Sequence, residues 1–249
     1  MIIDLETGKF EFLENYNVEK IKAASLGLSG GTDSAALLYL LCLAIPHAKI
    51  VCYCGVENLN PNPVLRRPTN VWYAEEIFNA MKEKFPNVDL VFESFSFDRY
   101  DQVFVKKAKE IYDNAEDKST LPNFNGLLKI MAVEDPVNEI RDRYNIDTWF
   151  TGLTSNPPLE DQKRFGFENT NMEPRRNIKG GNNINKPFIN HDKKTIAAIF
   201  KKFNLMDDIF PLTQSCTSNC LDTDYFTKPC GKCYWCYEKL WAFGTMDIC

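Results

Sequence analysis

The sequence lacks a basic excess. Its 29 Lys and Arg stand against 34 Asp and Glu, a formal charge of -5 at pH 7. No global positive field draws nucleic acid, so such a partner is not expected, although a local basic groove is compatible with the balance. Long apolar runs are missing too. The longest uncharged one, Ala35 to Ile45, falls short of the roughly 20 residues a bilayer-spanning helix takes and reads as a buried helix. The opening "MIIDLETGKFEFLENY" has neither the basic start nor the apolar stretch of a secretory signal. These absences point to a cytoplasmic protein with no membrane partner. No internal repeat is visible.

What is present is ordinary for a globular chain. At 249 residues and 44% hydrophobic, it can bury a large core, with room for a smaller appendage. "DLETGKFEFL" reads as a hairpin turning at Thr7-Gly8, and "AASLGLS" as a short inner strand. A helix over 33–45 and a strand "KIVCYCGV" follow, then a proline-rich loop from Asn58 to Pro68. Thr69 or Asn70 can cap the next helix, whose Val71, Ala74, Ile77, Phe78, Met81 and Phe85 form an apolar stripe. "VDLVFESFSF" reads as a third strand and "IDTWFTGL" as a fourth, after a helix around 125–144. Residues 154–190 show no sustained period and read as a long loop, functional or disordered. "HDKKTIAAIFKKFNLM" restores a helix, capped by Asp192, with Ile196, Ile199, Phe200 and Phe203 inward. Strands alternating with helices predict an α/β fold with a doubly wound, mainly parallel sheet.

One connection carries more than a turn needs. In "LGLSGGTDSAALLYLL", residues 26–41, two glycines and four small polar residues separate an apolar strand from an apolar helix. Helix N-termini present unpaired N–H groups and about half a positive charge, which attract anions. Gly30 and Gly31 allow close backbone approach and unusual φ values. Ser29, Thr32 and Ser34 add hydroxyls, and Asp33 can cap the helix or help hold magnesium. The loop has no lysine after its second glycine, so it is not of the Walker type, and the G-x-G-x-x-G dinucleotide fingerprint is absent.

The nine cysteines are unevenly spread. Cys52 and Cys54 alternate with apolar neighbours and, with Cys42, read as buried thiols in a reduced compartment. Cys230, Cys233 and Cys236 stand at C-x2-C-x2-C spacing, with Gly231 helping the turn and Cys216 or Cys220 available as a fourth ligand. The pattern suits tetrahedral zinc, whose binding stabilises a segment poor in core. An iron–sulfur cluster and redox-active thiols are the alternatives.

"SGGTDS" resembles the S-G-G-x-D-S loop of the PP-loop ATP pyrophosphatases, which bind ATP and usually adenylate a carboxylate or carbonyl oxygen. The resemblance implies an adenine nucleotide alpha hydrolase-like fold. It puts ATP against Leu28, Ser29, Gly30, Gly31, Thr32, Asp33, Ser34, Ala35 and Ala36, with Mg2+, and gives catalytic roles to Ser29, Asp33 and Ser34. "KPFINHDKKTIAAIFKKFNLMDDIFPLTQSC" and the cysteines after it are similar in order and spacing to the tail of the 7-cyano-7-deazaguanine synthase family. Thr213, Ser215 and Cys216 match Thr-x-Ser-Cys; Cys230, Gly231, Cys233, Cys236 and Phe243 match the rest. This implies Zn2+ on Cys216, Cys230, Cys233 and Cys236. It divides the chain into an ATP-binding α/β domain, 1–210, and a cysteine-rich zinc lobe, 211–249. The implied reaction is ATP-dependent ligation of ammonia to 7-carboxy-7-deazaguanine, then dehydration of the amide to a nitrile, as in queuosine biosynthesis. Another acceptor, a tRNA thiolase, or a non-catalytic nucleotide-binding module are the other readings.

The resemblance covers 22–45 and 186–243 and thins between them. "VENLNPNPVLRRPTN", "PNFNGLLKIMA" and "NPPLEDQKRF" replace the family's substrate-associated stretches, with Asn125 kept and Phe124 where the family has Arg. Among other polar residues, Arg175 and Arg176 read as solvated loop charges ahead of a bidentate clamp on a carboxylate or pyrophosphate, and Asp161 as either a magnesium or amine contact or a solubilising one. His191 reads as a helix-start residue, and Trp235 and Trp241 as packing over the metal lobe. A homodimer is compatible with the sequence.

Overall fold

A computed structural model describes residues 1–14, 16–57, 69–98, 100–115, 124–165, 184–216 and 228–246. Strands β1 (Ile2–Leu5) and β2 (Gly8–Glu11) form the expected hairpin. Its Phe10 and Phe12 are buried against Phe188, tying it to the main body.

The centre is a five-stranded sheet of β3 (Ala23–Gly27), β4 (Lys49–Glu57), β5 (Leu90–Phe97), β6 (Thr148–Phe150) and β7 (Ile184–Asn185). The order is β5-β4-β3-β6-β7, and each of its four pairings is parallel. The chain therefore moves outward from β3 through β4 to β5, then crosses back to β6 on the other side of β3. That reversal opens a crevice at the carboxyl ends of β3 and β6, where sheets of this kind place ligands.

Helices cover both faces. They are α1 (Thr32–Ala44), α2 (Thr69–Lys84), α3 (Gln102–Asn114), α4 (Phe124–Tyr144), α5 (Leu159–Arg164), α6 (Lys193–Lys202) and α7 (Tyr234–Phe243). Neighbouring residues of a strand point to opposite faces. On β5, Phe92 meets Phe78 of α2, while the next residue, Glu93, accepts from Arg143 and Tyr144 of α4. The sheet is doubly wound, as expected.

Helix α1 is apolar on every face because most of it is buried: Ala35, Ala36, Leu37, Leu38, Leu40 and Leu41 are each 0% exposed, and only near its end does Leu43 reach solvent. Each such leucine contributes about 1.5–3 kcal/mol relative to exposure. The α2 stripe lies as read, with Ala74, Ile77, Phe78 and Met81 buried and Val71 and Phe85 packed against the same core. Thr69 and Asn70, read as candidate caps, are instead its first helical residues. The α6 cap is real, since the Asp192 carboxylate accepts from Lys194 N at 2.9 Å.

Two regions differ from the sequence reading. Helix α3 was not anticipated; Asp101 caps it by accepting from Val103 N. The stretch 154–190, read as loop, contains α5 and β7, while residues 166–183, including Arg175 and Arg176, lie outside the described residues. So does the 58–68 loop, and so does Cys220.

Candidate functional site

Strand β3 delivers its loop to the amino end of α1. Leu28 N still bonds Tyr53 O at 2.8 Å, so the ladder holds one residue past the strand before the chain turns. Gly30 has φ +78°, a conformation costly for other residues, and it turns the loop. Gly31, the helix N-cap, has an unexceptional φ of -92°. A Cβ there would stand 3.5 Å from Ser29 Oγ and 3.7 Å from Ser215 Oγ.

The hydroxyls form a small network. Ser29 N donates to Ser34 Oγ at 3.2 Å, the two serine Oγ atoms lie 3.2 Å apart, and Ser34 Oγ donates to Gly31 O at 3.1 Å. Ser29 is exposed at the loop surface, whereas Thr32 and Ser34 are buried. Leu28, Ala35 and Ala36 are fully buried, so only their backbone can face a ligand.

Asp33 does not cap α1. Its carboxylate receives Lys193 Nζ, the first residue of α6, at 2.7 and 2.8 Å, and the same ammonium lies 3.4 Å from Thr32 Oγ1. Lys193 is 3% exposed, and a second carboxylate, Glu238 of α7, stands 3.6 Å away and is 1% exposed. The lysine that the loop lacks is supplied from α6. Proximity in the fold thus brings a cation to the loop that local sequence does not.

The opposite wall comes from the segment after β6. A Cβ on Gly152 would lie 2.9 Å from Asp33 C, 3.0 Å from Asp33 O and 3.1 Å from Ser34 N, so glycine is needed for this approach. Thr154, Ser155 and Asn156 follow, all buried. Thr154 Oγ1 and Ser215 Oγ have no hydrogen-bond partner among the described residues. Buried polar atoms are rarely left so, and an open acceptor or donor beside a loop of this kind suits a ligand. Sequence reading passed over Lys193, Gly152 and Thr154, and gave Ser215 only a motif match. Asp161 sits in α5, 3.7 Å from Arg164.

The cysteine cluster abuts the loop. Gln214 N donates to Gly30 O at 2.8 Å, and Cys216 follows two residues later. The sulfurs of Cys216, Cys230, Cys233 and Cys236 lie within 4.8 Å of one another and could hold a metal ion. Gly231, at φ +71°, makes the turn, and the amides of Lys232 and Cys233 donate to Cys230 Sγ at 3.5 and 3.3 Å. The sulfurs of Cys216 and Cys233 push the Cys236 thiol up, ahead of burial. The other described thiols, Cys42, Cys52 and Cys54, are chemically quiet. Burial pushes Cys42 up to about 12, Cys54 to about 11 and Cys52 well above its ordinary value.

His191 is half-buried beside Phe10, edge to face at 4.9 Å, and desolvation lowers its pKa. Its carbonyl accepts from Ser155 N, so it buttresses the wall after β6. Trp241 lies under Lys194 Nζ at 4.3 Å and beside Phe165, and Trp235 meets Tyr234 edge-on. Phe243 packs on Phe200 and Phe210, which joins α7 to the main core.

No family model matches the sequence, and no curated protein matches it. Among solved structures, the chain is similar to glutamine-dependent NAD+ synthetase from Acinetobacter baumannii in complex with ADP (TM-score 0.47, 13% identity, 81% of this chain and 34% of that one). It is similar to U34-tRNA thiolase NcsA from Methanococcus maripaludis with its 4Fe–4S cluster (TM-score 0.41, 15% identity, 74% and 57%). A third likeness is to NMN synthetase from Francisella tularensis (TM-score 0.41, 14% identity, 92% and 80%). The chain spans about a third of the length of the NAD+ synthetase it matches.

Proposed function

We propose that the protein is an ATP-dependent ligase of the PP-loop kind, which transfers AMP to a carboxylate and passes the activated acyl group to ammonia. The observation that carries this reading is the juxtaposition at the head of α1: a glycine turn, paired serine hydroxyls and a buried lysine at Asp33. The loop amides and hydroxyls suit a triphosphate. Glu238 takes a share of the Lys193 charge, so Asp33 keeps enough negative charge to hold Mg2+ beside the phosphates.

Carboxylates are poor electrophiles because oxide is a poor leaving group. Attack of a carboxylate oxygen on the α-phosphorus expels pyrophosphate and leaves an acyl-adenylate; ammonia then displaces AMP to give an amide. A second activation on the amide oxygen, with loss of AMP, gives a nitrile. The chain's part is to hold the phosphates in line and stabilise the charge that develops on them. The proposed acceptor is 7-carboxy-7-deazaguanine, carried by the match of Thr213, Ser215, Cys216 and the later cysteines to that family's tail. The crevice bounded by Gly152–Asn156 is the proposed acceptor wall.

The metal proposed for the four cysteines is zinc. A Zn–S distance of about 2.3 Å sets tetrahedral sulfurs about 3.8 Å apart. Cys230–Cys236 at 3.9 Å, Cys233–Cys216 at 4.0 Å and Cys233–Cys236 at 3.5 Å fit one ion. A four-iron cluster, with an iron at each ligated corner, needs its thiolates further apart. Zinc would there supply folding stability and no step of the reaction.

The test is incubation with ATP, Mg2+, ammonia and 7-carboxy-7-deazaguanine, read by mass spectrometry. Amide or nitrile with AMP and pyrophosphate is the expected result. Nucleotide turnover only with another acceptor would change the substrate, sulfur incorporation into tRNA would favour a thiolase, and ATP binding without AMP release would make it a non-catalytic module.

A further inference from the structure

Helix α7 carries both the last cysteine of the cluster and the innermost charge of the nucleotide site. Cys236 is one of four clustered sulfurs, and Glu238, two residues on, faces Lys193. The preceding segment makes a second link. Gln214 N holds Gly30 O, and Lys239 of α7 donates from Nζ to Thr213 O at 3.0 Å and Thr213 Oγ1 at 3.1 Å. The segment that brings Cys216 to the metal is thus fastened to α7 on one side and to the loop on the other.

Resting on the nucleotide reading above, we propose that Glu238 is a positioning residue that couples occupancy of the cysteine cluster to nucleotide binding, by holding the Lys193 ammonium at Asp33. Lys193 has four rotatable bonds and a strongly hydrated head, so confining it in a dry site takes more than one anion. Asp33 is the outer partner, its side chain 21% exposed; Glu238 is the inner one, at 1%. With both in place the ammonium is held between loop and helix. If α7 shifts when its sulfurs lose their ion, Glu238 withdraws, the whole Lys193 charge falls on Asp33, and less of that carboxylate's charge is left where magnesium is needed. A nucleotide that prefers the arrangement with Glu238 in place stabilises the metal-bound cluster in return, because energetic coupling between two sites is reciprocal.

The experiment uses zinc-loaded full-length protein with an organomercurial that strips zinc by modifying the thiols, the released metal being followed with a chromogenic chelator. Runs are made with and without a saturating non-hydrolysable ATP analogue in excess magnesium. Binding of the analogue is measured first by equilibrium dialysis. The wild type is expected to release zinc at least about fivefold more slowly with the nucleotide bound, within the usual range of such coupling. Glu238→Gln, of the same shape without the charge, is expected to keep its zinc stoichiometry but lose most of that slowing, to less than about twofold. A merely structural Glu238 would lower the melting temperature and leave the ratio of rates alone. Unaltered zinc release in a wild type that binds the analogue overturns this inference and spares the nucleotide reading. So does full slowing in Glu238→Gln. A wild type that binds no analogue overturns both, and if Glu238→Gln does not fold, the wild-type ratio decides.

Discussion

Lys193 Nζ meets both carboxylate oxygens of Asp33, at 2.7 and 2.8 Å, across 160 residues of sequence. The contact joins the first turn of α6 to the first turn of α1 and places a buried cation beside the glycine loop.

Replacing Lys193 by methionine leaves two carboxylates, Asp33 and Glu238, without their shared counter-charge. Loss of one partner from a buried pair costs about 3–5 kcal/mol, and urea unfolding is expected to show a loss of that size. Adding Glu238→Leu to the methionine variant is expected to recover part of it, so that the two losses do not add. Strict additivity would mean the two side chains do not interact.

Gly152→Ala tests the close approach of the β6 segment to α1. Its Cβ would stand 2.9 Å from a backbone carbon of Asp33, and backbone cannot swing aside as a side-chain end can. The expected cost is about 1–3 kcal/mol of stability, the usual range for forced overpacking. Nucleotide affinity, read by calorimetry, is expected to fall by tenfold or more. Wild-type affinity in this variant would show that the wall moves without disturbing the loop.

A pH dependence follows from His191, whose folded-state pKa burial holds below its ordinary value of 6.5. The unfolded chain then takes up the proton first as the medium acidifies. The stability contributed by neutral His191 is complete above the unfolded value and is lost as the pH falls through the lower, folded one. Unfolding measured at steps from about pH 7.5 downward should show this decline. His191→Asn should flatten it, and an equally steep decline in that variant would assign it to other groups.

Two classes of cysteine should separate by alkylation at about pH 8. Cys42, Cys52 and Cys54 are buried thiols with raised pKa values, and the thiolate is the reactive form. Peptide mass mapping is expected to find them unmodified in the native protein and fully modified in denaturant. Rapid native labelling at Cys52 would contradict the packing of β4.

Where the sequence spoke through periodicity it was legible. The α2 stripe, the Asp192 cap and the bare apolar α1 each follow from local spacing, and so does the C-x2-C-x2-C turn. Helix α3 was missed because its amphipathic stripe runs among lysines on an exposed element whose one buried residue is Ala108. Both loop glycines were read as allowing unusual backbone angles; the structure assigns that need to Gly30 alone, and a Cβ on Gly31 would make only ordinary contacts. The larger omission was Lys193. In "HDKKTIAAIF" two adjacent lysines look alike, and only the rotation of α6 against α1 sends the first inward, while the second reaches over Trp241. Pairings of this kind belong to tertiary structure and leave no trace in local pattern.

The bond from Gln214 to Gly30 also orders events during synthesis. A ribosome making this chain emits the glycine loop early and the groups that fasten it some 160 to 180 residues later. Until then the growing polypeptide has the loop without its lysine and without the Gln214 clasp. Strand β3 and helix α1 are therefore complete well before the residues that fasten the loop between them have been made.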